Sequence, residues 1–368
     1  MTRTPTLNDV ATRAGVSYAT ADRVVNARGG VAEKSRTKVE EAVAQLGYVR
    51  NVAAANLSQK RVYRFGFVLP VGENAFFNHM RHIIRQRAAT FPARQVELQI
   101  FDVEAFDITA LVGQLRALRS EGYDGLAVVG IDDPAVSKEI SDLQSDGVAV
   151  VTLVSGVSHA AAVGYVGVDN VAAGRTAGRL IGMAHAAGYG VVQIILGALT
   201  LRDHAERLAG AQAVLAQDFP HVHVLPPIEG LDQDPLVENL LHRHLTENPE
   251  ISAIYGLGAG NGGIFRTMAA RRPVAPHPFC VVHELTPDAR HAVETGLVDA
   301  VIDQQPEQEV DRALDMMRQA ADRLPLRDNP PITPAIYLRD NLPAAPSLPP
   351  DERPHHDRLL RHPLPPAF

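Results

Sequence analysis

The chain has 368 residues, 46% of them hydrophobic and 21% charged, with a formal net charge of −7. That length exceeds one ordinary domain, so two or three are expected, and the composition is that of a globular protein. No apolar run is long enough to span a membrane, and the single Cys280 excludes an internal disulfide framework, which fits a reducing cytoplasm.

The charge is uneven along the chain. Residues 1–61 carry 10 Lys and Arg against 5 Asp and Glu, a net of +5; with −7 on the whole chain, residues 62–368 carry −12. A basic module on an acidic body fits a phosphate-binding head joined to a part that does not touch nucleic acid. The stretch TLNDVATRAGVSYATADRVVN at 6–26 predicts two short helices joined by a tight turn. Thr6 caps the first, with Asp9 in the reciprocal place of a capping box. Val10, Ala11 and Ala14 form its apolar face, Gly15 supplies the turn, and Val16 plugs it from behind. Ser17 caps the second helix. Ala21, Val24 and Val25 face inward, which leaves Tyr18, Ala19, Asp22 and Arg23 outside. A third helix fits Glu33 to Leu46 and ends at Gly47. The Ala-rich NVAAANLS at 51–58 is too short to be a stable helix alone.

From Val62 onward short apolar runs alternate with helical patterns. The runs are Arg64–Leu69, Val96–Phe101, Gly125–Val129, Ala149–Leu153, Ala162–Val166, Val191–Leu196, His221–Pro226, Ala253–Gly256, Pro278–His283 and Ala300–Asp303. Helical patterns include Ile108–Ser120, Ala172–Ala187, His204–Gln217, Pro235–Glu247 and Pro306–Arg323. Continuous apolar strands between helices predict an α/β body with parallel sheets covered on both faces. One doubly wound sheet of this size would be unusually wide, so two similar lobes are expected.

Two other signals compete. Gly258, Gly260 and Gly263 give a G-x-G-x-x-G spacing after a strand, with Glu284 near the end of the next; an enzyme with a dinucleotide site and an accessory DNA-binding head is the alternative reading. The 15 histidines form pairs rather than sets, so no metal site is expected. No nucleophile elbow, carboxylate pair or catalytic triad stands out. The polar N-terminus predicts no signal peptide and a cytoplasmic, nucleoid-associated location. Residues 343–368, rich in Pro, read as a flexible tail.

Residues 6–61 closely resemble the headpiece and hinge of the LacI/GalR repressor family, through TLNDVATRAGVSYATADRVVN, EKSRTKVEEAVAQLGY and AAANLSQKR. The resemblance implies a three-helix helix-turn-helix headpiece over 1–50 and a hinge over 51–61. It puts Tyr18, Ala19 and Arg23 against base edges, and Thr6, Ser17, Thr20, Asn26 and Asn51 among the DNA-binding residues. Ala54 and Leu57 enter the minor groove, where a wedge residue kinks the duplex. Two positions depart from the family. Asp22 stands where many members have Ser, replacing a phosphate contact by a repulsive charge or by an acceptor for cytosine; Arg50 replaces the usual Pro.

The body resembles the periplasmic sugar-binding-protein fold of the same family, through Asn74 to Phe77, Val168 to Asn170 with Gly174, Leu201 to Gly210, His283 to Pro287, and Ile302 to Gln304. The resemblance implies an effector domain over 62–342. Its first lobe spans about 62–168 and 305–332, its second about 169–304 and 333–342, with a ligand between them. Phe76 and Phe77 would face sugar C–H surfaces. Asn74, Ser155, Asp169, Arg202, His204, Asn261, Glu284 and Gln304 would supply polar contacts, although Asp169 also suits a plain helix cap. The Asp-Arg pair common after the strand VVTL is here Val154 and Ser155, and the second lobe's usual Arg falls close to Ala205. Loss of those anchors leaves a sugar alcohol, modified sugar or sugar acid, and the Arg202/His204 pair favours an anionic one. The resemblance thus implies a repressor, not an enzyme, with no cofactor. It would bind palindromic double-stranded operator DNA as a homodimer under a carbohydrate-like effector.

Overall fold

The computed structural model describes residues 5–25, 29–48, 61–72, 74–90, 95–258, 260–272 and 276–344. Asn26, Asn51, Ala54, Leu57 and the Pro-rich tail lie outside them. The chain divides into two compact units, 1–61 and 62–368.

The first unit is built on two small helix-ending devices. Helix α1 (Leu7–Ala14) begins at a full capping box: the Thr6 backbone N–H donates to Asp9 Oδ2 at 2.7 Å, and the Asp9 N–H donates to Thr6 Oγ1 at 3.4 Å. It ends at Gly15, whose φ of 65° lets the chain reverse into α2 (Tyr18–Val25). Helix α3 (Glu33–Leu46) closes the unit, ending likewise at a left-handed Gly47. Val10, Ala11, Ala14, Ala21, Val39 and Ala42 are its buried core, and Val16, Val24, Val25 and Val43 pack around them. Small residues at the centre let three short helices approach closely enough to exclude water with few side chains.

The second unit holds two parallel sheets. The first has the order β2-β1-β3-β4-β5, from β1 (Tyr63–Val71), β2 (Val96–Glu104), β3 (Gly125–Val128), β4 (Ala149–Leu153) and β5 (Gly164–Val166). The second runs β12-β11-β10-β9-β6-β7, from β6 (Gly190–Leu196), β7 (Val222–Val224), β9 (Ala253–Gly256), β10 (Phe279–His283), β11 (Ala300–Asp303) and β12 (Ala335–Tyr337); β8 (Ile228–Glu229) pairs with the end of β6. Only β12 is antiparallel to its neighbour among the described strands.

Both faces of each sheet are covered, as the continuous apolar strands predict. In the first, Tyr63, Phe65, Phe67 and Leu69 alternate onto the face that packs α4 (Ala75–Thr90) and α12 (Pro306–Ala321). Val68, Leu126, Val128 and Val150 face α5 (Ile108–Leu118) and α6 (Pro134–Ser145). In the second, Val192, Ile194, Tyr255 and Val281 meet α7 (Asn170–Ala184) and α8 (Arg202–Asp218). Val191, Ile254, Cys280 and Val282 meet α9 (Asp234–Glu247), α10 (Asn261–Arg271) and α11 (Pro287–Glu294). The period of two is what sends alternate residues to opposite faces.

The chain passes between the lobes three times: from β5 into α7, from β11 into α12, and from α12 back to β12. Two of these passages lie side by side, joined by the Ile332 N–H donating to the Gly167 carbonyl at 2.9 Å.

Helices α7 and α8 touch at backbone level. A Cβ on Gly174 would strike the Arg207 carbonyl, and one on Gly210 would strike that of Val171. Gly174→Ala is therefore expected to push α8 outward and cost about 1–3 kcal/mol, read as a lower urea midpoint for the full-length protein.

Candidate functional site

In the first unit, Tyr18, Ala19 and Arg23 are exposed on α2, while Asp22 and Thr20 are half-buried. Tyr18 is 57% exposed, an apolar ring held in water with no packing reason within its own helix. Ser17 Oγ accepts the Thr20 N–H at 3.1 Å and so caps α2, and Thr6 caps α1. The outward face of α2 is thus presented on a helix fixed at its start.

In the second unit, the strands of both sheets end at one cleft. It is lined by Asn74, Phe76 and Phe77, by Glu104 and Phe106, by Ser155, Asp203, His204 and Arg207, by Asp232, Asp234 and Asn261, and by Glu284, Asp288 and Gln304. Open α/β sheets bind ligands at such carboxyl ends because loops there are free of the ladder. The cavity of about 170 Å³ is smaller than the ~300–1,000 Å³ of drug-sized pockets, which suits a small ligand.

Arg207 is the centre of the cleft floor. It is 1% exposed. Its Nε donates to Asn170 Oδ1 at 2.9 Å, Nη1 donates to the Leu257 carbonyl at 2.6 Å, and Nη1 stands 3.9 Å from Glu284 Oε1. Asn170 in turn donates to the Tyr165 hydroxyl at 3.2 Å. The remaining terminal nitrogen, Nη2, is buried with no partner. Glu284 has a φ of 71°, in the left-handed region; Gln304 Nε2 donates to its Oε1 at 2.5 Å, and its Oε2 is unpartnered. Burial pushes the Glu284 carboxyl up to about 8 despite Arg207. Behind it Glu309 of α12 is wholly buried with both oxygens unpartnered, and burial holds its carboxyl well above the usual range.

Two hydrogen bonds bridge the lobes at the rim. Asn74 Nδ2 donates to Asp232 Oδ2 at 3.0 Å. Arg202 Nη1 donates to Ser158 Oγ at 3.0 Å, and Asp132 holds Ser158 through its hydroxyl at 2.8 Å.

Of the residues expected from sequence, Asn74, Phe76, Phe77, Ser155, His204, Asn261, Glu284 and Gln304 line the cleft; Asp169 and Arg202 do not. Asp169 caps α7, its Oδ1 accepting the Ala172 N–H at 2.9 Å. Arg202 is the first residue of α8 and turns outward to Glu206 at 2.7 Å. Helical spacing then places Asp203 and Arg207 together on the inward face, so the arginine expected to be missing is supplied by Arg207. Of the Arg202/His204 pair only His204 lines the cleft, and there Arg207 joins it among Glu104, Asp203, Asp232, Asp234, Glu284 and Asp288. Asp232 belongs to no recognisable motif, whereas Asp203 lies within the Leu201 to Gly210 stretch and only the phase of α8 shows that it faces the cleft.

Residues 6–51 match the bacterial regulatory proteins of the lacI family, and residues 65–324 match the periplasmic binding protein domain. The chain belongs to the periplasmic binding protein domain family, whose model spans over half of it, and carries a lacI-family match at its head. The sucrose operon repressor of Lactococcus lactis is 39% identical over 80 residues, 22% of this chain and 25% of that protein. Catabolite control protein A of Streptococcus mutans is 44% identical over 75 residues, 20% and 22% of the two chains. The matched stretch spans about a quarter of these curated relatives. Among solved structures, a solute binding protein from Burkholderia graminis in complex with D-arabinose superposes with a TM-score of 0.70 at 20% identity, covering 77% of this chain and 98% of that one. A LacI transcriptional regulator from Bacteroides fragilis gives 0.68 at 16%, covering 76% and 98%. These likenesses fix the fold of the periplasmic-binding-protein body.

The glycine-rich turn reads differently in this setting. The Asp234 carboxylate accepts the Gly262 and Gly263 N–H groups at the start of α10, so a side chain already occupies the place a pyrophosphate would take. A Cβ at Gly258 would strike His204, and one at Gly263 would strike the α9 backbone. Close packing accounts for the glycines, and the relatives are regulators of the lacI family rather than enzymes.

Glu284 carries a stability consequence for the body. Folded, it keeps its proton up to about pH 8; unfolded, it ionises around 4.5. Unfolding therefore releases a proton between those values, and stability falls as pH rises through that window; Glu309 acts in the same direction. The Tm of the ligand-free protein is expected to fall between about pH 5 and pH 8, and Glu284→Gln to flatten that slope in a calorimetric pH series.

Proposed function

We propose that the chain is a ligand-responsive transcription regulator, most simply a repressor, that binds a palindromic operator as a homodimer in the cytoplasm. The observation that carries this reading is the pairing, in one chain, of a lacI-family headpiece with a small cleft whose buried polar atoms lack partners. Two headpieces read two half-sites, so the symmetry of the dimer is mirrored in the DNA. Tyr18, Ala19 and Arg23 face base edges; Thr6, Ser17, Thr20 and Asn26 lie along the phosphates; Asp22 biases base choice. The segment with Asn51, Ala54 and Leu57 enters the minor groove.

The effector is a small polyhydroxylated molecule. Its hydroxyls meet Arg207, Ser155, Glu284, Gln304 and Asn261, and its C–H face meets Phe76 and Phe77. The ligand acts by preferring one arrangement of the lobes; a differential of about 1–3 kcal/mol is the usual scale of such coupling. Opening breaks the Asn74–Asp232 and Arg202–Ser158 hydrogen bonds, so these two contacts report the switch.

A thermal-shift screen of the full-length protein over sugars and sugar alcohols, followed by operator selection from random DNA with and without each hit, tests the reading. A hit that changes operator affinity supports it; operator binding indifferent to every hit refutes it. Arg23→Ala is expected to cost about 1–3 kcal/mol in operator binding and relax base preference at one position per half-site, as read by repeating the selection. Arg207→Gln is expected to weaken the hit's binding at least tenfold in calorimetry.

A further inference from the structure

The buried polar atoms of the cleft are unbalanced. Asp203 Oδ1, Asp232 Oδ1, Glu284 Oε2 and Gln304 Oε1 are all shielded from solvent and accept from no donor. Asp203 and Glu284 are themselves 6% and 5% exposed, so these are built positions rather than surface charge. Among the buried atoms of the described cleft residues the unpartnered donors are Arg207 Nη2 and Ser155 Oγ, and Glu284 adds its own proton below about pH 8. An ionised aspartate accepts and never donates. A neutral sugar offers one proton per hydroxyl and no charge, so it satisfies such acceptors without offsetting the carboxylates' repulsion.

Resting on the reading of this cleft as an effector site, we propose that its ligand is an amine-bearing polyol, an amino sugar or amino sugar alcohol, whose ammonium sits beside Asp203 and Asp232.

An ammonium brings three donors and a positive charge to a group of acceptors. Burial raises the Asp232 carboxyl above its ordinary value. That shift marks the cost of ionising a buried carboxyl with too little positive charge beside it, and a bound ammonium lowers that cost. Arg207 supplies part of the compensation to Glu284, at 3.9 Å, and His204 lies 3.8 Å from Asp203; neither approaches at hydrogen-bonding distance. A metal ion is a poorer occupant, because no three His, Cys, Asp or Glu among the described residues converge closely enough to hold one. The rest of the lining matches the remainder of such a molecule. Ser155 and Arg207 Nη2 face hydroxyl oxygens, and Phe76, Phe77 and Phe106 give an apolar wall that also favours a cation over a ring face.

Calorimetry on the full-length protein with matched probes tests this: glucosamine against glucose, galactosamine against galactose, 1-amino-1-deoxysorbitol against sorbitol, and gluconate as the anionic member. The expected result is at least tenfold tighter binding of the amine member of one pair. That ratio is expected to collapse below threefold in Asp203→Asn and, as a second variant should the first fail to fold, in Asp232→Asn. Equal or tighter binding of the neutral member, or a preference for gluconate, overturns the amine proposal and leaves the cleft as an effector site. A preference that survives both Asn variants also overturns it. Binding of none of the probes, neutral, cationic or anionic, overturns the carbohydrate reading of the cleft and this proposal with it.

Discussion

A single guanidinium buried between two helices and two strand ends is the constraint around which the body is arranged. Arg207 buries a guanidinium, and an unpaired buried charge is far too costly to keep. Its partners come from separate elements: Asn170 from the start of α7, the Leu257 carbonyl from beyond β9, and Glu284 from the end of β10. The glycines at 174 and 210 let α7 and α8 approach until the arginine reaches across. One corner of the guanidinium remains for something else. A side chain held on three sides is preorganised, so a ligand that completes its shell has little ordering cost to meet at that point.

The contacts that hold the lobes together are modest by comparison. An amide on a carboxylate and an arginine on a serine hydroxyl each involve a charged group and are worth at most about 1.5–3 kcal/mol net. That scale is comparable to the coupling of about 1–3 kcal/mol a regulator needs, so small molecules in the cleft compete with these bonds on level terms. The heavier interactions, the sheet faces and their helices, lie within each lobe. This separation is what lets lobes move as bodies while their interiors stay packed.

Much of this was legible in the sequence, and the failures have identifiable causes. The α/β alternation was readable because the inner strands β3, β4, β6 and β9 are buried along their whole length and are almost wholly apolar. Ala149–Leu153, Ala253–Gly256 and Ala300–Asp303 come out at the same residues in sequence and structure. The short strands β8 and β12 were not found, since two or three residues establish no period. The cleft was misjudged where a helix's phase mattered. Leu201, at the start of α8, makes no side-chain cap, so no sequence signal marked where the helix begins, and attention fell on Arg202 rather than Arg207. Glu309 sits among charged residues that read as a solvated face, yet the inner turn of α12 carries it into the interior. Asp232 follows a two-residue strand in a loop, where only the tertiary structure brings it opposite Asn74.

The three passages between lobes also set the order in which the chain can complete itself. Helix α12 covers β1, β3, β4 and β5, but some 140 residues of the other lobe separate it from β5. A chain emerging from the ribosome can cover part of that face with α4, but the rest stays open until residue 321 has followed, and the second sheet lacks its last strand until 337. Neither lobe matures alone, and the apolar strands β3 and β4 wait for their cover on that face. For this molecule the interval of greatest aggregation hazard falls within synthesis, well before any encounter with DNA or ligand.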